Sequence, residues 1–572
     1  MENSKRFFDK KWLLLAFVSL IFSLLIFFCF TALIYRFGFA RHITFNYYIK
    51  QLLIIIPFLP LSIFLFSILP LRRILDYHRL INRCSIRTYL ISIFFISFFI
   101  TNIISFFFYD HIPQGDAVVT FFQAKIFSKG FLWGFPPQFP EFFLKEMVIH
   151  QEKWFSMVQH GHSLFLTPFM LIRLPWLFSS LMGSFSIIIF FLFLRNCFDE
   201  GTAKEGALLL LLSPMFLFIT SSYLNQNSSF FFILLSLFFL SLSIKHTNRF
   251  FPFFSGFFSG LAFFSRATVV IFIPAMIIFL FLAAEEKRGR AIFFFLIGFL
   301  PAFLIQFIDN IIYTGNIFRF GYSLHIGNNL HGLGFGPGKG EPTFSITGHT
   351  PLKALINFFY NLFTFSLHLY GWPLLSLIFI PFAFIKWKKN MWDIFAIIVI
   401  FFSLIFFSLY WFHGISPMGP KYYFEIVPLL VLLTVRGIRK LNIKPFVTIL
   451  FIFTIFIYIP TGLLIFNRGW GTNLHCYNEI KKESIHNAIV FIKDLPGENE
   501  YERTINRHNY RSVAFRNEPQ ISKGDIIYAK DLGNEKNILL INEFKGRKAY
   551  IFEYSDNGKR WRLLPYEAVG SR

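Results

Sequence analysis

Phe108-Tyr-Asp-His-Ile-Pro-Gln-Gly-Asp-Ala-Val-Val-Thr-Phe-Phe-Gln-Ala-Lys-Ile-Phe-Ser-Lys-Gly130 is the stretch on which the reading of this chain turns. It follows a hydrophobic run and carries two carboxylates, Asp110 and Asp116, where that run should meet water. Asp116 stands at an N-cap position after Gly115, and Lys125, Lys129 and Gly130 close the expected helix at its far end. Two readings are open. Asp116 either caps a helix lying on the membrane surface or serves as a reactive carboxylate. The two are compatible, because a helix N-terminus favours the ionised carboxylate. Which side of the membrane Asp116 faces, and what faces it, must come from the rest of the chain.

The 572 residues are 55% hydrophobic, too apolar for a soluble protein of ordinary composition. Apolar runs of about 18 residues or more recur along most of the chain, which predicts many membrane spans. The first run is long and no small-residue cleavage site follows it, so it reads as a span and not as a cleaved signal. Phenylalanine, with 88 copies, fills positions where leucine is usual. The two are near-equivalent for insertion into lipid, so this reads as compositional drift in an AT-rich genome. The net charge of +23 is scattered along short loops, a pattern that topology explains and nucleic-acid binding does not. The four cysteines, Cys29, Cys84, Cys197 and Cys476, are isolated and predict no disulfide framework, metal motif or thiol chemistry.

Lys5, Arg6, Lys10 and Lys11 precede a first span at 12–35, which places the N-terminus in the cytoplasm by the positive-inside rule. A second span, 51–71, returns to the cluster Arg72, Arg73, Arg79, Arg83 and Arg87. The third, 89–108, then delivers Asp110 and Asp116 to the extracytoplasmic face. Residues 109–174 are interrupted by Pro136, Pro137, Pro140 and Pro168 and read as interfacial amphipathic helices lying on the membrane. Further spans are expected at 176–195, 206–222, 228–244, 251–265, 267–284 and 291–308. Asn196–Glu205 and Lys245–Arg249 serve as inner turns, and another inner turn lies at 285–290. A second long outer loop, 309–356, contains Gly327-Asn-Asn-Leu-His-Gly-Leu-Gly-Phe-Gly-Pro-Gly-Lys-Gly340. It lacks the Gly-Lys-Ser/Thr ending of a nucleotide loop and reads as a mobile lid. Spans at 357–385, 392–411, 422–436 and 446–466 complete a set of about thirteen, an odd number that puts the C-terminus outside. Residues 1–466 thus form a transmembrane unit, and the charged tail 467–572, with alternating runs such as Ile538-Leu-Leu-Ile-Asn, is expected to be a small extracytoplasmic α/β domain.

Ionisable groups near membrane depth are costly, roughly 2.5–3.5 kcal/mol at the centre on insertion scales, so each asks for a reason. Arg266, in Gly260-Leu-Ala-Phe-Phe-Ser-Arg-Ala-Thr, and Lys421, in Met418-Gly-Pro-Lys-Tyr-Tyr-Phe-Glu425, fall at outer ends of spans. Each could simply snorkel to lipid headgroups. With Asp116 on the same face they could also converge, and fixed cations are what a phosphate leaving group needs. His150, His160 and His162 crowd this face too. His160-Gly-His162 puts two imidazoles close together, as a divalent cation would require, but no third ligand is assigned.

These residues resemble a known family. The chain is similar to the GT-C type membrane glycosyltransferases of the protein O-mannosyltransferase and aminoarabinose-transferase kind (family 39-like). The resemblance rests on Gly115-Asp116 with Ala124 and Gly130, on Leu174-Pro175, and on Leu212-Ser213-Pro214 with the Tyr223–Asn227 turn. Phe264-Ser265-Arg266 resembles a turn usually read Thr/Ser-Arg-Pro, and Tyr370-Gly-Trp-Pro373 resembles Phe-Gly-Trp-Pro. Gly419-Pro420-Lys421-Tyr422-Tyr423, with Pro428, resembles Gly-Pro-Arg-Tyr. Two departures stand out: the family's Asp-Glu is Asp116-Ala117 here, and its Arg before Tyr is Lys421, a point charge in place of a bidentate fork.

The resemblance implies a multi-pass enzyme of a bacterial inner membrane that moves a sugar from a polyprenyl-phosphate-linked donor to a lipid, glycan or protein acceptor, with inversion. Asp116 would be the general base, Lys421, Arg266 and Tyr422 would hold the donor phosphate, and Asp110, His160 and His162 would play secondary roles. A lipid or solute transporter is the competing class, although few charged residues fall within the expected spans. A polymerase or ligase of surface polysaccharide is a third reading.

Overall fold

The computed structural model describes residues 77–113, 115–144, 147–284, 287–326, 333–336, 348–372, 375–385, 390–411, 414–416, 419–441, 444–470, 473–493, 508–555 and 560–566. The expected spans 12–35 and 51–71, Arg72, Arg73 and most of the glycine-rich segment 327–340 lie outside these residues. What is described is a multi-pass helical membrane protein: six helices are long and apolar enough to cross a bilayer, or seven if one bent pair counts as a single span.

After a short helix α1 (Tyr77–Arg83), α2 (Ile86–Phe107) shows how lipid shapes such a helix. Ser85 caps it, its hydroxyl accepting from the Thr88 N–H at 3.1 Å. Tyr89, Ile93, Ser97, Thr101 and Ser105 recur every four residues and face inward, whereas Phe95, Phe99, Ile103 and Phe106 face outward. A narrow inner stripe that includes small hydroxyl residues, with an aromatic outer face, lets the helix pack closely on one side and meet acyl chains on the other.

The helix that begins after Asp116, α3 (Ala117–Ser128), departs from expectation. It does not lie on a surface: Ala117 through Ala124 are all buried, and α4 (Gly161–Leu171) packs against it. Its sequence Val118-Val-Thr-Phe-Phe-Gln-Ala124 is apolar all round, which fits an internal helix better than an amphipathic one. A short hairpin, β1 (Val148–His150) with β2 (Trp154–Ser156), lies beside it.

The core continues through α5 (Pro175–Cys197), α6 (Glu200–Leu211), α7 (Pro214–Thr220), α8 (Gln226–Lys245), α9 (Phe250–Ser265), α10 (Phe272–Ala283) and α11 (Arg288–Thr314). The expected span 206–222 is broken by 63° between α6 and α7, where Ser213-Pro214 removes a backbone donor. The expected inner turn Asn196–Glu205 shrinks, because α6 already begins at Glu200 and buries Lys204 and Glu205. Close approach of α9 and α11 depends on glycine. A Cβ at Gly256 would strike the carbonyl of Phe295, and one at Gly298 the carbonyl of Phe253. Because α11 runs to Thr314, the second long loop starts later than expected, at the left-handed Gly315.

Following α12 (Gly321–Ile326), the expected span 357–385 is not one helix. Helix α13 (Pro351–His368) stops, and two 3-10 turns, Ser376–Phe379 and Pro381–Phe384, follow. The break leaves carbonyls that neighbours satisfy: Ser213 donates to Leu369 O at 2.6 Å and Thr454 to Tyr370 O at 2.7 Å. Helices α14 (Met391–Ser408), α15 (Val427–Leu441), α16 (Lys444–Phe453) and α17 (Ile459–Trp470) complete the helical body.

Beyond residue 473 the chain forms α18 (His475–Lys482), α19 (His508–Ala514), α20 (Asn534–Glu543) and a four-stranded sheet ordered β6-β5-β7-β8. Strands β5 (Ala488–Ile492), β6 (Ile526–Lys530) and β7 (Lys548–Ser555) are parallel, and β8 (Arg560–Pro565) closes the edge antiparallel. All five β5 residues are buried, as the central strand of a covered parallel sheet requires.

Candidate active site

Asp116 holds the N-cap position of α3, as expected, but does not cap the helix with its side chain. Its backbone is already helical (φ −64°, ψ −19°), and its side chain makes no bond to the first turn of α3. The carboxylate turns away and pairs with the ammonium of Lys421. Lys421 is almost wholly buried, whereas 35% of the Asp116 side chain stays open to solvent.

A two-residue hairpin, β3 (Ile415–Ser416) with β4 (Gly419–Pro420), aims Lys421. Gly419 takes φ +100°, a left-handed conformation that glycine adopts without strain, and turns the chain so that Lys421 opens the 3-10 turn Lys421–Ile426 leading into α15. Arg266 ends α9 in extended backbone, and its Nη1 donates to both carboxylate oxygens of Glu425 at 2.9 and 2.8 Å and to Tyr422 O at 3.2 Å. Ser229 donates to the same Glu425 carboxylate. Both cations lie near the Tyr422 ring: the Arg266 guanidinium is 5.5 Å and the Lys421 ammonium 5.9 Å from its centroid. Asp116, Lys421, Arg266 and Tyr422 therefore gather in one place, although they come from three separate parts of the sequence.

Burial alone would push the Asp116 carboxyl up, but Lys421, with Arg511 and Arg266 behind it, outweighs burial and holds it below the usual carboxylate range. The carboxylate is thus ionised in this state. Tyr322, on α12, also feels it: burial first, and then the Asp116 charge, push the phenol up.

The secondary candidates do not join the cluster. Asp110 sits in a left-handed turn after α2 (φ +49°), exposed, with His475 within electrostatic reach. His160 pairs with Asp309, Nδ1 to Oδ1 at 2.9 Å, and its Nε2 meets Ser156 O at 3.1 Å. His162 turns to Ser228, 2.9 Å away, and burial pushes its imidazole down to about 3, so it is neutral. Although close in sequence, the two imidazoles are held by different partners. Among the described residues no three His, Cys, Asp or Glu side chains gather in a way that could hold a metal ion.

Three groups of the cluster went unassigned in the sequence. Glu425 lies four positions after Lys421, and its spacing offered a signal, since both fall on the same turn entering α15. Tyr322 and Arg511 carry no local motif. Their place depends on tertiary packing.

Residues 157–313 match the family model of the dolichyl-phosphate-mannose-protein mannosyltransferases. The chain resembles that mannosyltransferase family. The matched segment includes His160, His162 and Arg266, while Asp116 and Lys421 lie outside it. No curated protein matches the chain. Among solved structures, ArnT from Cupriavidus metallidurans bound to undecaprenyl phosphate aligns at 11% identity over 84% of this chain and 98% of its own, with a TM-score of 0.49. The Archaeoglobus fulgidus oligosaccharyltransferase in complex with Zn and sulfate aligns at 14% identity over 80% and 67%, with a TM-score of 0.45. The mannosyltransferase segment ends within α11, so the resemblance spans the helices that carry Arg266.

Proposed function

We propose that the chain is a membrane glycosyltransferase that transfers a sugar, with inversion, from a polyprenyl-phosphate donor to a lipid, glycan or protein acceptor at the extracytoplasmic face. The observation that carries this reading is the convergence of Asp116, Lys421 and Arg266 on one partly open cluster. The match to mannosyltransferases described by a dolichyl-phosphate donor supports it. The layout that goes with it has about thirteen spans, the N-terminus inside and residues 467–572 outside.

In the reaction an acceptor hydroxyl attacks the anomeric carbon, the bond from that carbon to the phosphate oxygen breaks, and Asp116 takes the hydroxyl proton. The electron pair leaves with the polyprenyl phosphate, whose charge Lys421 and Arg266 neutralise. The ion pair explains how a carboxylate of low proton affinity can act as base. A donor phosphate competes for the Lys421 ammonium, and as that cation turns to the phosphate, Asp116 regains affinity for a proton. Tyr422 lies against both cations and fixes their positions.

The test is release of polyprenyl phosphate from a labelled polyprenyl-phosphate sugar by the purified chain supplied with an extract of acceptors. Sugar transfer supports the reading. A protein that binds no such lipid and turns none over contradicts it.

A further inference from the structure

The two cations assigned to the phosphate are each matched by a carboxylate before any donor arrives. Lys421 faces Asp116, and Arg266 faces Glu425. An incoming phosphate must compete with both carboxylates, so a further cation at this place would change what the site can hold.

The tail supplies one. Its segment 515–519 is laid along α3, the helix that Asp116 opens, and α19 leads into that segment. At the far end of α3, Lys125 donates to the carbonyls of Arg516 and Asn517 at 2.6 and 3.0 Å and pairs with Glu518 at 3.1 Å; Lys129 pairs with the same Glu518 at 3.3 Å. One turn back, the rings of Phe121 and Phe515 meet at 5.2 Å. Nearby, Phe135 N donates to Pro519 O at 2.8 Å. The two stretches therefore run side by side in the same direction: residue 515 lies beside 121, and 516–518 lie beside 125. Stepping back one further turn along α19 leads from Phe515 to Arg511, and stepping back along α3 leads from Phe121 to its start at Asp116. Arg511 is also one of the three cations whose charge Asp116 feels.

We propose that Arg511, one helical turn before the docked segment 515–519, is a third cation of the Asp116 site and binds the phosphate of the lipid donor. The inference rests on the transferase reading above and deepens it: the tail is part of the donor site, and removing Arg511 removes a phosphate contact. Docking is the work of Lys125, Phe121, Phe515 and Glu518, so the charge of Arg511 can be changed while the seat remains.

The experiment uses the full chain in detergent and measures binding of undecaprenyl phosphate and of the uncharged undecaprenol to the parent, Arg511→Gln and Arg511→Lys. Arg511→Gln should weaken the phosphate lipid about tenfold to a hundredfold, the usual scale for one charge-assisted contact, and leave the alcohol unchanged. Arg511→Lys should recover most of the loss. If Arg511→Gln binds the phosphate lipid like the parent, or loses both lipids in parallel, the inference is overturned, because the first result denies contact and the second makes the role purely structural. A parent that ignores undecaprenyl phosphate overturns the transferase reading and this inference together.

Discussion

Lys421 and Asp116 stand 305 positions apart in the sequence and form one ion pair, with the lysine almost wholly buried and the carboxylate partly open. This pair joins the loop after the first described span to the entry of α15.

Substituting Lys421 should act on donor use and on pH together. Lys421→Gln should weaken donor use about tenfold or more, while Lys421→Arg, which restores the family's residue, should remain active. The cations hold the Asp116 carboxyl below its ordinary range. A carboxyl lowered on folding contributes stability above its unfolded pKa, and that contribution is lost as pH falls through the folded value. Taking the Lys421 charge away raises the folded value, so the acid limb of the residual activity of Lys421→Gln should move to higher pH. A pH–rate profile checks this. An acid limb at the parent position would detach Asp116 from Lys421.

Arg266 and Glu425 are both buried, and breaking such a pair on one side leaves an uncompensated charge. Glu425→Gln should therefore cost stability on the order of 3–5 kcal/mol, and the double variant Arg266→Gln with Glu425→Gln should recover part of it. Thermal unfolding in detergent reads the difference. A single variant as stable as the parent would show that the pair is not needed to hold the turn.

The orientation carries every assignment at the outer face. A reporter active only in the cytoplasm, fused after Arg572, should stay silent, and the same reporter fused before the first expected span should be active. A bright C-terminal fusion would turn the cluster toward the cytoplasm.

Much of the fold was legible because hydrophobic length is a strong signal. Expected spans at 89–108, 176–195, 228–244 and 392–411 each coincide with a long apolar helix. What periodicity and length could not show were the breaks. Ser213-Pro214 bends one span, and the chain after His368 leaves the helix where neighbouring hydroxyls donate to the freed carbonyls. Four members of the cluster could be marked in the sequence, but not the bonds between them. Asp116, Lys421, Arg266 and Tyr422 could be marked as charged or aromatic groups at span ends, yet the pairing of Arg266 with Glu425 is a tertiary event. The buried α3 was misread because helix-flanking lysines look alike whether they meet headgroups or, like Lys125 and Lys129, meet Glu518 of the tail.

The most direct measurement concerns Asp116. Asp116→Asn keeps the shape and leaves an oxygen for the Lys421 ammonium, but it cannot take the acceptor proton at neutral pH. Because Asp116 makes no capping bond, the exchange should leave membrane insertion at the parent level. Turnover of a labelled polyprenyl-phosphate sugar, at matched protein amounts, should fall about 10²–10⁴-fold, the range for loss of a positioned base, while Asp110→Asn should change it little. An Asp116→Asn protein that transfers sugar at the parent rate would contradict the account and leave the carboxylate a partner of Lys421 and nothing more.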